Sequence, residues 1–161
     1  MSESVLENVV VVLHEPQNVV NIAGAVRAMK NMGLGRLRLV RPAEFDTWRI
    51  EGIAHRSEDV VEEAEAYASL GEALADCVYV MGTSARARTA QRNYFRPRDA
   101  GERVVARAGD GIVAILFGRE DRGLDNEALD SCHAVTIIPT DPHYSRLIHK
   151  YEEDGETLLL V

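Results

Sequence analysis

The sequence predicts an α/β fold, a parallel sheet with helices on both faces. Short runs of nearly all apolar, β-branched residues recur along the chain, as in strands buried on two sides. Segments with apolar residues at helical spacing alternate with those runs, the pattern of successive strand–helix units. The 161 residues, 46% of them hydrophobic, suffice for one packed core, so a single domain over residues 1–161 is expected.

The elements follow in order. "NVVVVLHEP" (8–16) is a β-branched run stopped by Pro16, a buried strand. In "NIAGAVRAMKNMG" (21–33) the apolar residues Ile22, Ala25, Val26, Met29 and Met32 keep helical spacing, and Gly33 is a natural stop. "RLRLVRP" (36–42) is a second strand ended by Pro42, and residues 46–66 read as helical or mixed, with their glutamates in water. "SLGEALADC" is a short helix and "CVYVMG" (77–82) a strand. A long arginine-rich loop leads to a helix near 99–108. "GIVAILFG" (111–118) is a strand, "DNEALDSC" a helix and "AVTIIPT" (134–140) a last strand. There is no internal repeat and no low-complexity segment.

Composition excludes several classes. No apolar run reaches the roughly 20 residues that cross a bilayer. The opening "MSESVLENVVVVLHEP" lacks the basic segment and cleavage site of a signal peptide, so a soluble, cytoplasmic protein is expected. Cys77 and Cys132 have no CxxC spacing and read as buried free thiols, and the five histidines show no ligand spacing, so no metal is expected. The net charge of −8 argues against nucleic acid, but its distribution does not. Seven arginines stand between Arg86 and Arg107 against two acids, Asp99 and Glu102, whereas seven acids and no Lys or Arg lie between Glu58 and Asp76. A local basic patch binds phosphates whatever the overall charge.

In an open parallel sheet, ligands bind beyond the carboxyl ends of the strands. Three strand ends are rich in Gly, Ser, Thr or Pro: "GTSAR" (82–86), "FGREDRG" (117–123) and "IPTDPHYS" (138–145). The second raises the sharpest question, since a buried strand runs into two glycines that bracket four charges. A polar connector is the bland answer and a binding loop the other. Familiar nucleotide motifs do not apply. "GLGRLR" (33–38) lacks its third glycine and precedes a strand, and there is no GxxxxGK[ST] and no GxSxG.

Three segments in order resemble the SPOUT superfamily of RNA methyltransferases in its 2′-O-ribose (SpoU/TrmH) branch, and within it the TrmJ-like tRNA methyltransferases. "NVVNIAGAVRAMKNMG" is similar to the first motif through Asn21, Gly24 and Arg27. "ILFGREDRGLDNEAL" is similar to the second through Gly118, Glu120, Gly123 and Leu124, and "IIPTDPHYS" to the start of the third. "GTSARART" (82–89) resembles the TrmJ-like branch in particular. The likeness spans about residues 8–147.

The resemblance implies a parallel sheet with a C-terminal trefoil knot, a homodimer, S-adenosylmethionine as cofactor, RNA as substrate, with tRNA foremost, and methyl transfer to a ribose 2′-OH. It implies cofactor contacts at Thr83, Ser84, Ala85, Gly118, Ile138, Ser145, Arg146 and Leu147. Arg27, Asn21 and Glu120 are the implied catalytic group. Arg27 serves as a fork on phosphate and developing alkoxide, because a guanidinium hardly ever loses its proton. Asn21 reads equally as a helix cap, and Glu120 as an acceptor that fixes a loop. Arg86 and Arg88, just past a strand end, are the expected RNA contacts, and Arg119, Asp121 and Arg122 are left to solvent. After Ser145 the chain reads "SRLIHKYEEDGETLLLV", where the family continues into a Ser-Leu-Asn-Leu-type run and an apolar helix. That departure gives the alternative reading: a catalytically weak RNA- or cofactor-binding module of the same fold.

Overall fold

The structure, a computed structural model, describes residues 3–85 and 93–138. Its elements are α1 (Glu3–Leu6), β1 (Val9–His14), α2 (Val19–Asn31), β2 (Arg36–Val40), α3 (Thr47–Ile53), α4 (Glu58–Glu62), β3 (Glu65–Tyr67), α5 (Leu70–Leu74), β4 (Cys77–Ser84), β5 (Tyr94–Phe95), α6 (Pro97–Ala108), β6 (Ile112–Phe117), α7 (Asn126–Asp130) and β7 (Ala134–Ile137). The described strands form one sheet in the order β3–β2–β1–β6–β4–β7–β5, and every neighbouring pair is parallel.

Side-chain alternation sorts the core into two layers. Val9, Val11 and Leu13 of β1 face α2, α3, α4 and α6, together with Leu37, Leu39, Tyr79, Met81 and Val113. Val10 and Val12 face α5 and α7, with Val80, Ala114, Leu116, Ala128 and Leu129. Both faces of the strand are therefore dry, which is why β1 shows no polar alternation and all six of its residues are buried. Parallel strands joined by helices bring all their carboxyl ends to one edge, the edge at which ligands bind in such sheets.

Two strands escape the sequence reading. β3 and β5 have three and two residues and sit at the two margins of the sheet. Segments that short carry no readable periodicity, and they are strands because β2 and β7 offer open edges. The mixed stretch 46–66 resolves into α3, α4 and β3. Helix α6 begins at Pro97, two residues before the expected start, with proline in its first turn. Met32 lies past the end of α2 and is 72% exposed, while Gly33 turns the chain with φ +73°.

Arg38, central in β2, is buried to 2%. Its guanidinium donates to both Asp76 oxygens at 2.6 and 2.8 Å and to the Ala73 carbonyl at 2.9 Å, and Glu65 lies 3.5 Å from Nε. The hydrogen bond to Asp76 raises the guanidinium's pKa and holds the Asp76 carboxyl below the usual range. The pair staples β2 to the α5–β4 turn. Cys77 and Cys132 are free and half-buried, and burial pushes the Cys77 thiol up to about 11. Among the described residues no helix is long and apolar enough to cross a membrane, and no three His, Cys, Asp or Glu gather as metal ligands.

Candidate functional site

At the carboxyl edge, the β1–α2 loop is tied to the β6–α7 loop by one side chain. Glu120 accepts the backbone N–H of Gln17 at both oxygens, at 3.1 and 2.9 Å, and that of Asn18 at 3.3 Å. Those donors belong to the entry of α2, where a carboxylate is favoured by unpaired N–H groups and the helix dipole. Glu120 thus holds α2, and with it Asn21, against the end of β6. Both oxygens of its carboxylate are thereby engaged with the backbone of the β1–α2 loop.

The loop after β6 folds back on itself. Gly123 donates to the Arg119 carbonyl at 2.7 Å and adopts φ +68°, the left-handed region that glycine enters without cost. A Cβ on Gly118 would run into the backbone of Gly123 and Leu124. Gly118 is therefore demanded by the loop's own return, before any ligand arrives. Arg119 and Asp121 are not left to solvent as the sequence reading has them. Arg119 Nε and Nη2 each donate to one Asp121 oxygen at 2.9 Å, with both side chains about two-thirds covered. Burial pushes the Asp121 carboxyl up, but the Arg119 hydrogen bond and charge outweigh it and hold it below the usual range. Asp125 then caps α7 by accepting Ala128 N–H at 2.8 Å.

The ends of β4 and β7 lie beside this loop. Thr83 donates its hydroxyl to the Leu116 carbonyl at 3.0 Å, and Ile138 N–H donates to the Ser84 carbonyl at 3.1 Å. Thr83, Ser84, Gly118 and Ile138 are thus brought together, with Ala85 exposed just beyond β4. What Thr83 and Ile138 offer a ligand is narrowed, since one hydroxyl and one N–H are already committed. Thr136 pairs with Thr83 in register, and its buried hydroxyl has no partner among the described residues. Ser145, Arg146, Leu147, Arg86 and Arg88 lie outside the described residues.

Helix α2 corrects one reading. Its N-cap is Asn18, whose side chain accepts Val20 N–H at 2.8 Å, so Asn21 is not the cap. Asn18 directly precedes the periodic run, a signal the sequence carries. Asn21 sits in the first turn with both amide atoms buried and, among the described residues, unpartnered. An unmet buried amide costs roughly 1–3 kcal/mol. Arg27 stands six residues on, roughly 9 Å along the axis and 120° around from Asn21. It is exposed and meets no partner among the described residues.

The sequence reading misses a second contact set at this edge. Glu15 and Arg41 end β1 and β2 in left-handed backbone, at φ 54° and 45°. Each such residue costs about 1–3 kcal/mol. Glu15 N–H donates to Val40 O at 2.7 Å, and the two side chains pair at 2.6 Å, with His14 Nε2 3.4 Å from Arg41. Residues adjacent in space but 26 apart in sequence leave no local pattern.

Residues 8–147 match the model of the SpoU rRNA Methylase family. The chain belongs to the SpoU methylase family. Among its SpoU-type relatives, the tRNA (cytidine/uridine-2′-O-)-methyltransferase TrmJ of Photorhabdus laumondii is 43% identical over 142 residues, 88% of this chain and 59% of that protein. The solved structure of a probable methylase family protein from Haemophilus influenzae superposes with TM-score 0.80 at 44% identity, covering 87% of this chain and 57% of that one. A probable methyltransferase from Bordetella pertussis gives 0.81 at 31% identity, covering 89% and 88%. This SpoU chain spans about three-fifths of the length of the curated relatives it matches.

Proposed function

We propose that residues 1–161 form one methyltransferase domain that transfers a methyl group from S-adenosylmethionine to a ribose 2′-OH of tRNA and works as a homodimer in the cytoplasm. The observation that carries this reading is the buried amide of Asn21, unpartnered among the described residues, in a helix turn that the Glu120 clasp holds against the loop after β6. A buried donor–acceptor pair left unsatisfied in the first turn of a helix at the carboxyl edge of the sheet suits a substrate group that arrives from outside. The Thr136 hydroxyl, unpartnered among the described residues and next to Thr83, fits a polar ligand at the same edge. The relatives' activity on tRNA supports the choice of substrate.

Thr83, Ser84, Ala85, Gly118 and Ile138, with Ser145, Arg146 and Leu147, are the residues that would hold the cofactor. Bound there, S-adenosylmethionine supplies a methyl group already made electrophilic by its positive sulfur. The remaining difficulty is the weak nucleophile. Positioning of the ribose supplies up to about 7–11 kcal/mol in ideal cases. Arg27 holds the adjacent phosphate and steadies the developing alkoxide through its fork of N–H donors. Because Arg27 is exposed and turned away from Asn21 on α2, its natural place is at the pocket of a second copy. Glu120 acts through the α2 entry as a positioning residue.

The test is transfer of labelled methyl groups to total tRNA followed by nucleoside analysis. A 2′-O-methylated nucleoside supports the reading. Cofactor binding without any transfer supports the weak module, for which the sequence departure after Ser145 speaks. Failure of S-adenosylhomocysteine to raise the melting temperature overturns both, since a ligand specific to the native state must stabilise it.

A further inference from the structure

The loop that carries the chain from β1 into α2 is gripped from both neighbouring strands. On the β6 side, Glu120 accepts the N–H groups of Gln17 and Asn18. On the β2 side, the grip is the ion pair of Arg41 with Glu15, the residues that directly follow β2 and β1. Backbone bonds surround that pair. Glu15 N–H donates to Val40 O at 2.7 Å, Arg41 N–H to Tyr67 O at 3.2 Å and Ala43 N–H to Pro16 O at 2.9 Å. Gln17 Nε2 donates to the Glu15 carbonyl at 2.6 Å. The Asp121 hydrogen bond is the main cause that raises the Arg119 guanidinium's pKa, and the charge of Glu15 adds to it, so Glu15 is also felt in the loop after β6.

An ion pair between side chains 53% and 31% exposed adds little to stability. Yet both partners hold left-handed backbone, at φ 45° and 54°, where glycine is at ease and long side chains are not. Strain of this kind persists only where surrounding contacts over-determine it, and it gathers at functional sites. Two strained residues on adjacent strand ends, joined to each other at 2.6 Å, fix position more than they stabilise. What they fix is set by their place. Glu15 stands two residues before the first N–H that Glu120 holds and six before Asn21.

We propose that Glu15 and Arg41 are positioning residues for methyl transfer: their pair sets the entry of α2, and through it Asn21, from the side opposite the Glu120 clasp. This rests on the reading of the chain as a methyltransferase and adds two residues outside the three motifs. With β1 between β2 and β6, the two grips hold the loop from its two flanks.

Glycine at either position keeps the backbone bonds and relieves the left-handed strain, so it deletes the pair without unfolding the chain. Arg41→Gly and Glu15→Gly each keep Tm within about 4 °C of the wild type. Each lowers kcat for methyl transfer to unfractionated tRNA about tenfold, part of the hundredfold that a misplacement of about 1 Å can cost. KM for S-adenosylmethionine and the salt slope of tRNA binding stay at wild-type values, because neither ligand loses a contact. The double variant loses no more than either single one, and Arg41→Lys recovers most of the rate. Independently of turnover, exchange of the Gln17 and Asn18 amide hydrogens quickens about two- to fivefold in both glycine variants. Wild-type kcat in those variants refutes the proposal while the methyltransferase reading stands, and so does wild-type exchange at Gln17 and Asn18. If Arg41→Gly alone weakens tRNA binding and flattens the salt slope, with Glu15→Gly unaffected, Arg41 touches the RNA and the positioning role falls. If the wild-type protein transfers no methyl group to tRNA, the functional reading falls and takes the positioning role with it.

Discussion

A single methyl group on Gly118 separates two explanations of the loop after β6. In the structure the position of a Cβ is already occupied by the backbone of Gly123 and Leu124, so Gly118→Ala must push the loop open. Backbone cannot step aside as a flexible side chain can. Overpacking of this kind costs about 1–3 kcal/mol. Opening the loop also loosens the Glu120 clasp, whose contacts at 2.9–3.3 Å reach two N–H donors at the α2 entry. That contact is worth about 1 kcal/mol, because water replaces part of it at a half-exposed site. The sum is about 2–4 kcal/mol, or roughly 5–15 °C in Tm for a domain of this size. The assay is urea and thermal unfolding of the variant without any cofactor. Glu120→Ala alone should lower stability by about 1 kcal/mol, and adding it to Gly118→Ala should cost almost nothing further, since the clasp is already lost. If Gly118→Ala keeps wild-type stability and loses only S-adenosylhomocysteine binding, the glycine serves the ligand's approach alone and the packing argument is wrong.

Asn21→Leu should leave the free protein as stable as wild type or slightly more so, because it removes an unmet buried amide, yet it should abolish methyl transfer; calorimetry and turnover on tRNA check the two halves. Asp76→Asn should cost about 2 kcal/mol, less than a fully buried pair, because Asp76 is half exposed and Glu65 stays near Arg38, as denaturant unfolding will read out. Since Arg38 depresses the folded-state pKa of Asp76, that stabilisation is present above the unfolded carboxylate value near pH 4. It is lost as pH falls through the folded value, so the variant's stability should vary less with pH over that acid window. Replacing Arg86 and Arg88 together by alanine should reduce the salt slope of tRNA binding by roughly one to two units, measured by filter binding across a salt series.

Local chemistry determined the strands, the main helices and the edge at which to look. A run such as Val9–Leu13 can only be a strand dry on both faces, and α2 declares itself through Ile22, Val26 and Met29, because burial imposes the period of the backbone on the sequence. Gly, Ser and Thr at the ends of β4 and β6 marked the carboxyl edge for the same local reason. Tertiary structure alone decided what those residues are for. Whether Gly118 serves a ligand or its own loop depends on where Gly123 returns, and whether Asn21 caps a helix or lies unmet depends on Asn18 reaching Val20 first. The Glu120 clasp spans 103 residues to Gln17, and the Arg38–Asp76 pair spans 38. Neither end carries a mark of its partner, because a hydrogen bond between distant segments constrains position in space and leaves no period along the chain. The short strands β3 and β5 belong to the same class: they are strands by virtue of the neighbour's open edge, a property of the sheet and not of the two or three residues that complete it.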